Sequence, residues 1–186
     1  MGSALAKNYD VEKEATCSGG HCYLWQVFKA TRKKDGKKVS VFYFNKADFE
    51  KRITQSLGSK RAKFVRDAVF EIMKKEVAAL KALSKGADGA SAPPGVLRLY
   101  EAIEESKKEL AFVAERVLCS LGNATHRDWR GVEAANVPRE LLELELSEAE
   151  KARGAAALCE ALAHARETRK VHLGVSPEAV WLTPRG

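Results

Sequence analysis

Val39-Ser40-Val41-Phe42-Tyr43-Phe44 is the stretch that decides the fold of this chain. All of its residues except Ser40 are apolar or aromatic, as in a strand that is buried on both faces. Successive side chains of a strand point to opposite faces. One face therefore holds Ser40, Phe42 and Phe44, and the other holds Val39, Val41 and Tyr43. We expect a helix to cover one face and a concave element to cover the other.

Two strand-like runs precede this stretch. They span residues 9–16 and 24–31 and are joined by a glycine-centred turn at residues 17–23. A second turn carries Asp35-Gly36 at its tip, where a positive φ is needed. Together with residues 39–44, these runs predict a three-stranded antiparallel meander.

A long helical region follows the meander. Residues 47–55 form a short amphipathic piece, and residues 60–84 place apolar side chains at three- and four-residue intervals. A Pro-Pro-Gly sequence at residues 93–95 cannot continue a helix. Two further strands are predicted at residues 96–103 and 109–117, which completes five strands with a helix inserted after the third.

The second half of the chain has a different character. Residues 119–139 contain few large apolar side chains and are predicted to be loop. Ser147 and Glu150 have the capping-box spacing, and they open a predicted helix at residues 152–167. Its expected apolar side consists of Ala155, Leu158, Cys159, Leu162 and Ala163. A short strand at 171–173, a tight loop at 174–177 and a last strand at 179–182 are predicted to follow.

The charge of the chain is unevenly distributed. The formal net charge is +7, and residues 1–85 hold 19 Lys or Arg against 9 Asp or Glu. A solvated helix face with a lysine-rich hairpin explains this excess, and a phosphate-binding surface is the alternative. The four cysteines lack metal-ligand spacing, and no apolar run approaches the roughly 20 residues that span a bilayer. These features are typical of a reducing, intracellular compartment.

The order of these elements resembles a eukaryotic protein kinase from its first strand through its catalytic loop. The chain is similar in particular to the SCY-like pseudokinases, in residues 18–25, 39–42 and 172–177. The resemblance implies an α+β fold, in which a five-stranded antiparallel sheet with an inserted helix precedes a truncated, mainly helical lobe. It divides the chain into a kinase-like first lobe at residues 8–117 and a partial second lobe at residues 118–186.

The glycine loop of kinases is only partly retained. Its bare backbone lets amide groups approach the phosphates of ATP. The resemblance places Ser18, Gly20, Tyr23 and Trp25 at the motif positions, so that Gly20 is the one motif glycine present. An ordinary hairpin turn at Gly19-Gly20 fits the sequence equally well.

The lysine that pairs with the phosphates in kinases is absent from its expected position. The matching strand residues are Val39, Ser40 and Phe42; a phenyl ring cannot pair with a phosphate, and Lys46 lies four residues beyond the position. Glu76 matches the helix carboxylate that pairs with this lysine. Without the lysine, we expect Glu76 to be a solvated helix residue, and a substitute pair with another cation is the alternative.

The catalytic loop is also degenerate. Its base, lysine and metal-ligand positions correspond to Gly174, Ser176 and Ala179, and the preceding motif residues are His172 and Leu173. Loss of a positioned base alone costs on the order of 10²–10⁴-fold in rate. We therefore expect no catalytic residues and no metal ligands in this chain.

The expected nucleotide cleft is crowded. Trp25 and Phe42 lie on the wall where adenine and phosphate bind in kinases, and we expect them to block it. The hinge should follow the fifth strand, with Ala114 as a small gatekeeper and Glu115 and Val117 after it. A small gatekeeper would leave room behind the adenine position, which keeps nucleotide binding open as an alternative.

The sequence therefore predicts a catalytically inactive kinase-like domain that acts as a protein-interaction module. The resemblance implies vesicle trafficking, protein partners from the trafficking machinery, and a cytoplasmic, Golgi or vesicle-associated location, with any peripheral membrane association made through partners. No cofactor and no specific nucleic acid is expected. An ATP- and magnesium-binding kinase with displaced catalytic residues is one alternative, and a basic nucleic-acid or acidic-surface binder is another. Because the kinase resemblance stops after the catalytic loop, we expect either a fragment of a longer protein or a reduced, poorly soluble second lobe.

Overall fold

The structure is a computed structural model that describes residues 3–84, 93–168 and 175–184. For residues 3, 4 and 102–105 only the backbone is described. The predicted strand at residues 171–173 lies outside the described residues. Within the described ranges, no helix is both long enough and apolar enough to cross a membrane.

A five-stranded antiparallel sheet is the centre of the fold. Its strands are β1 (Tyr9–Gly19), β2 (Trp25–Arg32), β3 (Lys38–Asn45), β4 (Leu99–Glu105) and β5 (Glu109–Glu115). Their spatial order is β1-β2-β3-β5-β4, which places the decisive run in the middle strand. The predicted α+β fold, with five antiparallel strands and a helix inserted after the third, is confirmed.

The two faces of β3 belong to two separate core clusters. Phe42 and Phe44 pack in a cluster with Met73 of the inserted helix. Val39 and Val41 pack on the other side of the sheet, in a cluster that includes Leu5 of the N-terminal helix. The alternation predicted for the strand is therefore confirmed.

Six helices accompany the sheet in the described ranges. They are α1 (Ser3–Asn8), α2 (Lys46–Leu57), α3 (Ser59–Leu83), α4 (Leu121–His126), α5 (Arg139–Leu142) and α6 (Glu148–Glu167). Helices α2 and α3 lie within two residues of their predicted bounds. They are separated by Gly58, whose φ of 72° is a conformation that glycine adopts without strain.

The region predicted to be loop at residues 119–139 contains regular structure. Residues Cys119–Ser120 form a short strand, β6, and α4 follows it directly. The Ser120 side chain accepts a hydrogen bond from the Asn123 backbone, and Asn123 reciprocates as the partner in a capping box. The loop prediction was wrong because this cap uses asparagine where the usual motif has glutamate or glutamine.

Helix α6 begins directly after the predicted cap at Ser147, four residues before the predicted bound at residue 152, and it packs differently from the prediction. Its capping box between Ser147 and Glu150 is confirmed. The expected apolar side is wrong, because Leu158 is only half-buried and the other four residues, Ala155, Cys159, Leu162 and Ala163, are exposed. Helix α6 instead contacts the turn at Gly95 through its small residues. The approach is close, since any side chain at Gly95 would collide with the carbonyl group of Ala157.

The end of the described chain is mostly a turn. Residues Pro177–Ala179 form a 3₁₀ turn, with proline in its first position. The predicted strand at 179–182 is therefore shorter, and consists of β7 (Trp181–Leu182), which pairs antiparallel with β6. This pairing brings Trp181 opposite Ser120 and next to the sheet.

Candidate functional site

The residues that the resemblance assigns to a nucleotide cleft come together between the sheet and the segment 175–184. They lie on the glycine turn after β1, on β2 and β3, on α3 and on the segment that follows β5. In this chain the segment 175–184 contacts the glycine turn directly, and the space between them holds side chains of the protein.

The glycine turn is tied to the end of the chain. The Gly20 N–H donates a hydrogen bond of 2.6 Å to the carbonyl oxygen of Glu178. A Cβ atom at Gly19 would lie 2.6 Å from both this oxygen and the Trp181 ring. Glycine is thus required at Gly19 to make room for the protein's own chain, whereas in a kinase the bare backbone makes room for phosphates.

The tip of the turn has a strained backbone. Gly20 has a φ of 68°, and a Cβ there would collide with the Trp25 ring. Cys22 and Tyr23 also have positive φ values, which side-chain-bearing residues rarely adopt. Tyr23 is buried and lies under the guanidinium group of Arg130, which is 4.7 Å from its ring centre. Packing of Tyr23 therefore helps to hold the strained turn in place.

Phe42, which the resemblance places at the position of the kinase lysine, lies in an aromatic stack. Its ring is fully buried and stacks on Phe112, with ring centres 4.5 Å apart and planes 8° apart. On another side it meets Trp181 edge to face, at 4.8 Å and 84°. The stack of Phe42, Phe112 and Trp181 therefore contains no ammonium group.

Trp25 closes the wall beside this stack. It is 1% exposed and contacts Phe112 and Phe44 edge to face, at centre distances of 5.0 and 6.3 Å. Its indole N–H has no hydrogen-bond acceptor of normal geometry among the described residues. The carboxylate of Glu76 lies nearby, since a Cβ atom at Gly20 would lie 3.2 Å from the indole nitrogen and 3.4 Å from a carboxylate oxygen of Glu76.

Glu76 is not the solvated helix residue that we expected. It lies on the inward side of α3, and burial raises the pKa of its carboxyl group, an effect that the Trp25 indole N–H partly offsets. No cation forms an ion pair with it in the described ranges. Lys46 does not form the alternative ion pair with Glu76 either. Its ammonium group donates a hydrogen bond to the carbonyl oxygen of Ser106 at 3.1 Å and lies over the Phe70 ring.

The hinge region is occupied by internal hydrogen bonds. The Val117 N–H donates to the Ser40 hydroxyl at 3.0 Å, and the Glu115 carboxylate accepts from the Arg98 N–H at 2.7 Å. Ala114 is fully buried beside Ser40 on the neighbouring strand. The room that we expected behind the adenine position therefore does not open to solvent.

Asn123 is a central residue of this region that the sequence did not indicate. Its side chain is fully buried, and its carbonyl oxygen accepts from the Ser18 N–H at 3.2 Å and the Ser120 N–H at 3.4 Å. Its amide group donates to the carbonyl oxygen of Asp128. Asn123 thereby ties β1 to α4. The spacing between Ser120 and Asn123 was a usable sequence signal for the cap. The contact between Asn123 and Ser18 spans 105 positions of the chain and left no signal in the sequence.

The catalytic-loop positions are only partly described. His172, Leu173 and Gly174 lie outside the described residues. Ser176 precedes the 3₁₀ turn and its carbonyl oxygen accepts from the Ala179 N–H, so both positions serve the turn. The described residues contain no group of three His, Cys, Asp or Glu side chains arranged to hold a metal ion.

Comparison with known proteins finds SCY1-like and protein kinase domain-containing relatives. The chain is 29% identical over its full length to SCY1-like protein 2 of Mus musculus and 28% identical to that of Homo sapiens. It is 30% identical over 59% of its length to the protein kinase domain-containing protein ppk32 of Schizosaccharomyces pombe. The chain has a kinase-like fold close to the SCY1-like proteins. It spans 18% of the length of SCY1-like protein 2 and 13% of the yeast protein, and no family model matches it.

Proposed function

We propose that this kinase-like domain does not transfer phosphoryl groups and acts as a protein-interaction module. The observation that carries the proposal is the ring stack of Phe42, Phe112 and Trp181 at the position of the kinase lysine. By similarity to the SCY-like proteins, the proposed setting is vesicle trafficking, with partners from the trafficking machinery at Golgi or vesicle membranes.

Loss of catalysis follows from the chemistry that phosphoryl transfer needs. The reaction depends on cations that position and neutralise the phosphates, and on a carboxylate that holds the lysine. Here Phe42 is apolar, and Glu76 has no cation beside it among the described residues. A displaced-residue kinase would need another lysine in this stack, and Lys46 is engaged elsewhere. The non-catalytic interpretation needs no such substitute.

Nucleotide binding would require the chain to open its own cleft. A bound triphosphate would have to separate Gly20 from Glu178 and displace the Trp181 ring. The hydrogen bond contributes a net stabilisation of about 1 kcal/mol, and an aromatic edge-to-face pair contributes about 1 kcal/mol beyond its burial. Exposure of the Trp181 ring adds to this cost. We therefore expect affinity for ATP to be weak or absent.

A melting experiment with millimolar ATP tests this proposal, with and without magnesium. A ligand at about 100 times its dissociation constant adds roughly 2.7 kcal/mol of stability, which for a domain of this size raises the melting temperature by at least about 5 °C. We expect no resolved shift for the native chain, and no transfer of label from radiolabelled ATP.

The Trp181→Ala variant is the informative comparison, because it removes one ring from the cleft without adding charge. A magnesium-dependent shift gained by this variant alone would indicate that Trp181 excludes the nucleotide. A clear shift and labelled product from the native chain would overturn the proposal in favour of the displaced-residue kinase.

A further inference from the structure

An exposed corner between α2 and α3 combines apolar and basic side chains. We refer to residues 57–64 as the α2–α3 corner. Phe64 is 79% exposed and Leu57 is 44% exposed, although both are large apolar residues. Single exposed apolar residues are common on protein surfaces, so the significance of this corner depends on the charges that surround the two side chains.

The helix geometry directs Phe64 away from the protein. Phe64 lies two residues after Ala62, which is buried, so at about 100° per residue the two side chains point in nearly opposite directions. Met73, which is fully buried, lies nine residues further along and again on the opposite side. Phe64 thus occupies the middle of the outward face of α3.

The cations at the corner have no acidic partners in the part of the chain that the structure describes. Lys60, Arg61 and Lys63 are exposed, and no ion pair or hydrogen bond engages their side chains among the described residues. The first turn of α3 contains no acidic residue. Lys60 and Arg61 lie four and three residues before Phe64, so they flank its ring on the helix surface.

The nearby carboxylates already form ion pairs. Arg66 forms ion pairs with Glu50 at 2.6 Å and with Asp67 at 2.8 Å. On α2, Asp48 pairs with Arg52 at 3.1 Å. Arg66 offsets only one of its two carboxylates, so the six side chains Lys60, Arg61, Lys63, Arg66, Glu50 and Asp67 carry a net charge of +2, and the potential at the corner is positive.

We infer that the α2–α3 corner binds directly to the surface of an anionic lipid bilayer. The basic side chains would meet the headgroups, and the Phe64 and Leu57 side chains would enter the boundary between headgroups and acyl chains. Basic residues combined with Phe or Leu are the composition that interfacial membrane binding uses.

The shape of the corner favours a lipid surface over an acidic peptide or RNA. A Cβ atom at Gly58 would find no atom within 4 Å, so the link between the helices borders open space. Phe64 projects outward and is 79% exposed, whereas proteins recognise peptides through a groove or a sheet edge. Phe64 is also a lone ring at this corner, whereas single-stranded nucleic acid is bound through successive stacking positions. A bilayer accepts a projecting apolar side chain without a complementary pocket.

This inference does not depend on the state of the nucleotide cleft. It differs from membrane association through partners, because purified chain and lipid would suffice. Sedimentation with vesicles of phosphatidylcholine and phosphatidylserine, mixed at about two to one, tests it against pure phosphatidylcholine vesicles. We expect binding to the anionic vesicles alone, and loss of binding at about 1 M salt, where the Debye length falls to about 3 Å.

Two variants test the two parts of the surface. The triple variant Lys60→Gln, Arg61→Gln, Lys63→Gln should weaken binding about a hundredfold, since each basic side chain near an anionic surface contributes roughly fivefold. Phe64→Ala should weaken it about tenfold or more, through lost apolar burial. All of these side chains are exposed, so the fold and the melting temperature should be unchanged.

Matched controls separate this site from general attraction of a basic protein. The variant Lys13→Gln, Lys34→Gln, Lys107→Gln removes the same charge from exposed positions elsewhere, and Leu142→Ala removes an exposed apolar side chain from the second lobe. Both should bind nearly as the native chain does. Equal losses in corner and control variants, no preference for anionic vesicles, or binding to RNA or an acidic peptide with none to vesicles would overturn the inference.

Discussion

Replacement of Phe42 by lysine, the residue that an active kinase has at this position, is expected to unfold the domain and not to create a nucleotide site. Removal of a buried phenyl ring costs about 3–5 kcal/mol. An ammonium group placed without a partner in this ring stack costs several kcal/mol more. The sum approaches the whole stability of an ordinary domain, about 5–15 kcal/mol. Urea denaturation followed by circular dichroism measures the change.

Phe64→Lys is the matched control for this substitution. It makes the same chemical change at a side chain that is 79% exposed, so the expected change in stability is within about 0.5 kcal/mol. A folded Phe42→Lys protein with near-native stability would contradict the account. If that protein also bound ATP with magnesium, the cleft would be a nucleotide-binding site that lacks only its lysine.

Replacement of Asn123 by alanine is expected to destabilise the protein by about 3 kcal/mol. The substitution leaves the Ser18 N–H and the Asp128 carbonyl group without their hydrogen-bond partner, and a buried unsatisfied polar group costs about 1–3 kcal/mol. Loss of the Ser120 contact adds to this cost. Thermal and urea denaturation should both detect the change.

Asn136→Ala provides the comparison for this prediction. Asn136 makes one exposed hydrogen bond, to Glu14 at 3.3 Å, so its removal should cost less than about 1 kcal/mol. Equal effects of the two substitutions would show that the buried amide does not hold β1 against α4.

The parts of the fold that the sequence predicts depend on local signals. The alternation in residues 39–44 set the position and the two faces of β3, because a side-chain period of two is a property of any strand. The Ser147 and Glu150 pair gave the start of α6 for a similar reason, since a capping box is complete within four residues.

The features that the sequence did not predict depend on distant contacts. Trp181 was placed in a short final strand with no role in the cleft, and it packs on Phe42 only because β7 pairs with β6, about 60 positions earlier. Glu76 was expected to be solvated, because its burial depends on the approach of the glycine turn and Trp25. No local pattern in α3 carries that information.

The apolar side of α6 shows a further limit of periodicity. In an alanine-rich helix, many faces are equally apolar, so spacing alone does not select one. The selection is made by close approach of the turn at Gly95 to Ala157. Small residues allow this approach, whereas Leu162, the larger side chain, remains at the surface.

The central claim is that the chain fills its own nucleotide cleft. Amide and indole NMR spectra recorded during titration with ATP and magnesium test it most directly. We predict that the Gly19 and Gly20 amide signals and the Trp25 and Trp181 indole signals do not move. Saturable shifts of these four signals at millimolar ATP would show that the cleft opens and binds nucleotide, and would contradict the account.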